Sequence, residues 1–169
     1  MSLGSNIAPE RHLPLALAAL QSLGEIRAVS QAYQSAAAGP AGQPDFVNAA
    51  ALLETDLSPA ALHRELRRIE ADLGRRRSAD RYAARSIDLD LVLYNDLIEE
   101  TEDMVLPDPD LLRRPYLAQT MAEVDPGAIH PVTGVTLAEN ARLLGGASGL
   151  TRRPDIALPR PAAPPKGLL

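Results

Sequence analysis

Along Ser86–Leu93 apolar and polar residues alternate. Ile87, Leu89, Leu91 and Leu93 fall on one side, and Ser86, Asp88 and Asp90 on the other. A period of two with branched apolar residues predicts a half-buried strand. Phe46–Leu53 reads as another strand, with Phe46, Asn48 and Ala50 sharing a face, and Ile26–Ser35 as a third. Leu13, Leu17 and Leu20 form a stripe that predicts a helix from Pro9 to Leu23, stopped by Gly24. Leu62, Leu66, Ile69 and Leu73 form a second stripe, preceded by Ser58 as N-cap and Pro59 at the first helical position. Gly74 ends that helix, and polar, aperiodic Arg75–Ala84 reads as a mobile loop.

Met1–Leu3 is a stub of strand before the turn Gly4-Ser5-Asn6, and Ala36–Pro44 is a loop of small residues. After a turn at Asn95-Asp96, Leu97–Leu106 is expected to return as a strand that Pro107 and Pro109 break. Asp110–Val124 predicts a helix with Pro115 in its first turns, and Gly134–Leu144 a last short one. Strand, helix, strand, strand, helix, strand is the split βαβ order. It predicts an α+β, ferredoxin-like fold, a mainly antiparallel sheet with packed helices, in one domain over residues 1–150. Residues 151–169 hold five prolines and no apolar period, so a loosely ordered tail, dispensable for chemistry, is expected.

Composition narrows the chemistry. The chain has no cysteine, which excludes disulfides and thiolate metal sites. Its net charge of −5 argues against general nucleic-acid binding. No apolar run reaches membrane-spanning length and no leader pattern opens the chain, so a cytoplasmic protein is the expectation. Only 3% of residues are aromatic, so each ring invites a question about its purpose.

The charges are unevenly spread. Eight of the 17 basic residues are arginines between Arg64 and Arg85. Part of that cluster reads equally well as a solvated helix face paired with Glu65, Glu70 and Asp72. Asp88 and Asp90 lie two apart on a predicted strand, so their side chains point the same way, roughly 6–7 Å apart. Carboxylates so placed suit magnesium, which completes its shell with water and phosphate, and arginines are natural phosphate partners. A polar exposed strand face is the ordinary alternative for the two aspartates. Together, carboxylates and guanidiniums point to phosphoryl transfer.

Four segments carry a family resemblance: LGSN at Leu3–Asn6, QPDFVNAA at Gln43–Ala50, IEADLGRRR at Ile69–Arg77 and RSIDLDLVLY at Arg85–Tyr94. Taken together and in this order, they resemble the hydroxymethyl-dihydropterin pyrophosphokinases of folate biosynthesis, from Leu3 to about Pro126. The resemblance implies transfer of pyrophosphate from ATP to the hydroxymethyl group of a reduced pterin. It implies that Asp88 and Asp90 hold two magnesium ions and that Arg75 and Arg85 engage phosphates. Arg67, Glu70, Asp108 and Arg114 fall at nucleotide positions. Ser35 and Asn48 fall at the pterin edge, and Phe46 and Tyr116 match an aromatic pair that sandwiches the ring. A monomer is implied, with room for association with other folate enzymes.

The chain departs from the family pattern in places. Asp108 stands where a histidine is frequent, so weaker ATP binding is expected. Tyr82 stands for a frequent tryptophan, and Ala36-Ala37-Ala38 for prolines. The segment before LGSN is short, so the chain is expected to be shortened at its start or to begin at an internal methionine. Two alternatives remain: a catalytically weak paralogue that binds pterin or nucleotide, and another magnesium-dependent phosphoryl transferase on the same scaffold.

Overall fold

The structure, a computed structural model, describes residues 1–36, 44–76 and 83–161. Its centre is an antiparallel sheet. Strand β1 (Ser2–Ser5) lies between β4 (Phe46–Glu54) and β5 (Asp88–Asp90). On the far edge of β4 run two collinear strands, β2 (Glu25–Val29) and β3 (Tyr33–Ser35). The sequence predicts one strand across Ile26–Ser35. It divides because Ser30 turns inward, its Oγ accepting from Ala50 N at 2.8 Å while Ser30 N donates to Ala50 O.

Helices α1 (Pro9–Leu20) and α2 (Pro59–Asp72) cover one face of the sheet. Leu13, Leu17, Leu20 and Leu66 pack there against Leu3, Val47, Ile87 and Leu89 in the main core. Each fully buried leucine contributes about 1.5–3 kcal/mol over an exposed one. Helix α3 (Pro115–Val124), backed by α4 (Leu137–Leu143), covers part of the other face through Leu117 and Met121 against Ala50 and Val92. Burial on both faces explains why Val92, on the polar side of the alternation, is as buried as Leu89.

Several boundaries differ from the sequence reading, each for a local reason. Helix α1 ends at Leu20, three residues early. Gly24 is not its left-handed cap; a Cβ there would lie 2.1 Å from Glu54 O, so the glycine allows close passage of two backbones. Ser58 does cap α2, accepting from Ala61 N, and Gly74 beyond its end has φ +85°. The ladder of β5 stops at Asp90. Leu97–Leu106 is a small separate hairpin, β6 (Glu99–Glu100) with β7 (Val105–Leu106). The helix predicted from Asp110 is a 3-10 turn at Pro109–Leu112 and then α3, because Pro115 suits a first helical position and not an interior one.

The largest departure is the segment after Gly145. The sequence predicts a loose tail from Thr151, whereas Thr151–Arg152 forms β8 on the outer edge of β3. Ile156 then enters the main core at 5% exposure. One apolar residue and a free strand edge suffice to anchor a stretch that lacks apolar periodicity. Residues 162–169 lie outside the described residues.

The Met1 amino group is buried, donating to Ala51 O at 3.0 Å. Burial pushes its pKa down to about 5, an effect the nearby Asp90 partly opposes. Beside it lies a cavity of about 760 Å³ lined by Leu53, Leu91, Leu93, Met121 and Leu137. Extending the chain by three apolar residues before Met1 should fill the cavity and move the charge to solvent. Thermal denaturation should then show a melting temperature several degrees higher. An unchanged melting temperature would count against this account.

Candidate active site

Strand register builds the site. Gly4 lies opposite Asn48 on one neighbour and Asp88 on the other, and Ser2 lies opposite Ala50 and Asp90. Directly paired residues share a face, so Asp88, Gly4 and Asn48 form one row and Asp90, Ser2 and Ala50 the next. Ser35 pairs with Phe46 at the end of β4. Gly4 is the low point of this surface. A Cβ there would lie 3.2 Å from Asn48 Oδ1 and 3.7 Å from Phe46 Cδ1, so glycine keeps the floor open between amide, ring and carboxylate.

Beside the row is a cleft of about 630 Å³. It is lined by Ser35, Phe46 and Asn48 from the strands, Asp88 and Asp90 from β5, Arg85 just before it, and Arg114 and Tyr116 at the start of α3. Asn48 is buried, and its Nδ2 donates to Ser35 Oγ at 2.9 Å, which fixes the plane of the amide. Burial pushes the Tyr116 hydroxyl up to about 12, so the phenol stays neutral.

The carboxylates lie in a dense charge network. Arg75 and Arg85 each donate Nη1 to Asp88, to Oδ1 and Oδ2 respectively. Behind them Glu70, 1% exposed, accepts from Leu89 N at 2.8 Å and from Arg67 Nη1 at 3.0 Å, and is paired with Arg75. Asp90 has the weaker cation, Arg67 Nη2 at 3.8 Å. Burial and the adjacent Asp88 raise its pKa, so among the described residues this end of the cleft is short of positive charge. The turn after β1 holds Arg85 in place. Asn6 Oδ1 accepts from Arg85 N at 2.7 Å, Asn6 N donates to Arg85 O, and Ser5 Oγ donates to Ser86 O at 2.6 Å.

Not every predicted residue reaches the cleft. Arg67, Glu70 and Arg75 lie behind the carboxylates and not among the lining residues. Asp108 also stands outside the lining. It caps the 3-10 turn, accepting from Asp110 N at 2.8 Å, and its N–H donates to Val92 O. Burial pushes its pKa up. Ala37, Ala38 and Tyr82 lie outside the described residues. The sequence reading missed Ser2, Asp110, which pairs with Arg114, and the run Ser148–Leu150. The glycines around Ser148 were a signal of special backbone. Nothing in them said that they fold back over the strands.

The donor set fits magnesium. Asp88 and Asp90 offer hard oxygens on one strand face, and the deficit of positive charge at Asp90 is what a cation would relieve. Among the described residues no group of three or more His, Cys, Asp or Glu is arranged for a metal. An ion here would therefore take further ligands from substrate and water.

Glu70 gives a separable prediction. Its charge compensates Arg67 and Arg75 and its oxygen takes a backbone N–H of β5. Glu70→Gln should therefore cost about 1–3 kcal/mol of stability, read by urea denaturation, and disturb Asp88. An unchanged midpoint would show that Glu70 does not brace the strand.

Comparison with known proteins fits this geometry. The sequence profile of the family described as 7,8-dihydro-6-hydroxymethylpterin-pyrophosphokinase (HPPK) matches residues 1–126. A 2-amino-4-hydroxy-6-hydroxymethyldihydropteridine pyrophosphokinase of Haemophilus influenzae is 38% identical over 134 residues, covering 78% of this chain and 83% of that one. Its Pseudomonas aeruginosa counterpart is 36% identical over 129 residues, 75% of this chain and 79% of that one. The folic acid synthesis protein fol1 of Pneumocystis carinii is 32% identical over 142 residues, which is 82% of this chain but 19% of that protein. Among solved structures, Plasmodium falciparum HPPK-DHPS superposes with a TM-score of 0.66 at 12% identity, over 89% of this chain and 46% of that one. That last likeness concerns the fold, and it agrees with the α+β sheet described above. The profile match over most of the chain and the identities to full-length relatives establish that this chain belongs to the 7,8-dihydro-6-hydroxymethylpterin-pyrophosphokinase (HPPK) family.

Proposed function

We propose that this protein transfers the pyrophosphoryl group of ATP to 6-hydroxymethyl-7,8-dihydropterin, releasing AMP and the pterin diphosphate, as a step of folate biosynthesis. The observation that carries the reading is a single cleft joining two unlike halves. One half offers an aromatic pair with a fixed amide; the other offers two carboxylates with arginines.

Phe46 and Tyr116 stack on the pterin ring, and Asn48, held by Ser35, hydrogen-bonds its polar edge. In a chain with one phenylalanine, four tyrosines and no tryptophan, two rings at one cleft suit a flat heterocycle. Asp88 and Asp90 would hold two magnesium ions, which when bound would neutralise and align the triphosphate. Arg85 and Arg114 face that charge directly, and Arg75 joins them by leaving Asp88 for a phosphate oxygen. A guanidinium that exchanges a carboxylate for a phosphate stays paired throughout, so the cost of burying it is not incurred twice. Arg67 and Glu70 act from behind, by positioning Asp90, Arg75 and β5. Phosphoryl transfer depends mainly on positioning and charge stabilisation, and this site needs no covalent intermediate.

The protein works as a monomer in the cytoplasm, with association with other folate enzymes as a further expectation. The longer relatives with a matching segment support the latter. Among the described residues no helix is long and apolar enough to cross a membrane.

Two measurements test the reading. With ATP, magnesium and the reduced pterin alcohol, AMP should form in step with pterin diphosphate. ADP would indicate a simple kinase, and bound pterin without turnover would indicate a binding protein. Asp88→Asn and Asp90→Asn should each lower kcat at least about a hundredfold, roughly 2.7 kcal/mol of barrier, with far-UV circular dichroism unchanged.

Gly4→Ala probes the other half. The new methyl would crowd Asn48 Oδ1 and the Phe46 ring. The KM for the pterin should rise about tenfold, near 1.4 kcal/mol, and that for ATP should change little. Equal changes in both would remove Gly4 from the pterin subsite.

A further inference from the structure

We infer that residues 145–156 form a fixed strap that closes the pterin end of the cleft and positions the ring through Ser148, Gly149 and Leu150. This rests on the pyrophosphokinase reading. The strap lies wholly beyond the stretch the family profile matches, so its role comes from this chain's own geometry.

The strap is held at both ends and lines the cleft in the middle. Upstream it leaves α4, which Leu137 and Ala141 bury and which Asn140 ties to Leu111 O at 2.8 Å. Gly145, Gly146 and Gly149 have φ of +92°, +57° and +79°. These left-handed positions turn the chain back across α3, where a Cβ on Gly146 would lie 3.8 Å from Gln119 Oε1. Ser148, Gly149 and Leu150 then line the cleft together with Ser35, Phe46 and Tyr116. Downstream the anchors are numerous. Thr151 and Arg152 pair with Gln34 and Tyr33. Arg153 N donates to Ala32 O at 2.9 Å, Arg153 Nη1 donates to Gln34 Oε1 at 3.0 Å, and Ile156 is buried in the core.

These anchors act on the strand that carries Ser35. Strand β3 is three residues long, and Ser35 at its end fixes the Asn48 amide. Pairing with β8 on its outer side makes β3 an interior strand, which restrains Ser35 and through it the amide. The strap therefore does two things: it supplies a wall for the ring and it stiffens the group that reads the ring's edge. A wall held before binding lowers the ordering cost of capturing substrate. It stands away from the carboxylates of β5, so it should act on the pterin and not on the nucleotide.

The test compares the full chain with three variants. One ends at Leu150; Arg153→Pro removes the donor to Ala32 O; Leu150→Gly alters the wall with every anchor intact. The full chain must first form AMP and pterin diphosphate; if it does not, the pyrophosphokinase reading fails and not the strap alone. Given turnover, each variant should raise the KM for the pterin alcohol tenfold or more, with the KM for ATP within twofold. Pterin binding without nucleotide, followed by fluorescence, should weaken to match. A pterin KM within twofold of the full chain in a folded variant would overturn the inference. So would equal rises in both KM values, or a loss confined to kcat. Leu150→Gly decides the question if the other two unfold.

Discussion

The antiparallel register of β1 between β4 and β5 is the constraint on which the site depends. It is two-sided: Gly4 must meet Asn48 on one neighbour and Asp88 on the other. Because side chains alternate, a slip of one residue on either side would send a carboxylate or the amide into the apolar layer beneath α1 and α2. The apolar residues of the same strands prevent that slip. Leu3, Val47 and Leu89 point into the main core, and exposing them would cost several kcal/mol together. Packing on one face thus fixes the chemistry on the other.

Charge balance adds a second layer of control. Arg75 and Arg85 converge on Asp88, while among the described residues Asp90 pairs with the more distant Arg67. The asymmetry comes from the elements that deliver the arginines. Arg67 is on α2 and is shared with Glu70, whereas Arg85 is clamped by the Asn6 turn directly before β5. Glu70 is the pivot, since one buried carboxylate pairs with two guanidiniums and caps a strand N–H.

Much of this was legible in the sequence, for a physical reason. Alternation around Asp88 and Asp90 and around Phe46 and Asn48 reports a sheet with one apolar face, and Ser58-Pro59 reports a helix start. Those signals are local, and the structure has the corresponding strands and helix. What lay outside local pattern was misread. Glu70 looks like a helix-surface acid, because nothing in the sequence shows that β5 will lie across it. The segment 151–161 looks unstructured, because its order comes from the free edge of a strand more than a hundred residues earlier. Pro115 reads as lying inside a helix that it in fact begins, a difference of about one turn that no periodicity resolves.

The position of β1 also has a consequence for synthesis on the ribosome. Strand β1 is central and is made before either partner, at residues 46–54 and 88–90. At roughly 5–20 residues per second, Met1 and Leu3 wait several seconds, apolar and unpaired, before both neighbours have emerged. Nascent α1 follows directly in the chain and can shelter them in that interval, since its leucine stripe packs with Leu3 in the finished core. The long-range pairing that secures the active site thus leaves β1 open to wrong contacts until β5 has been made.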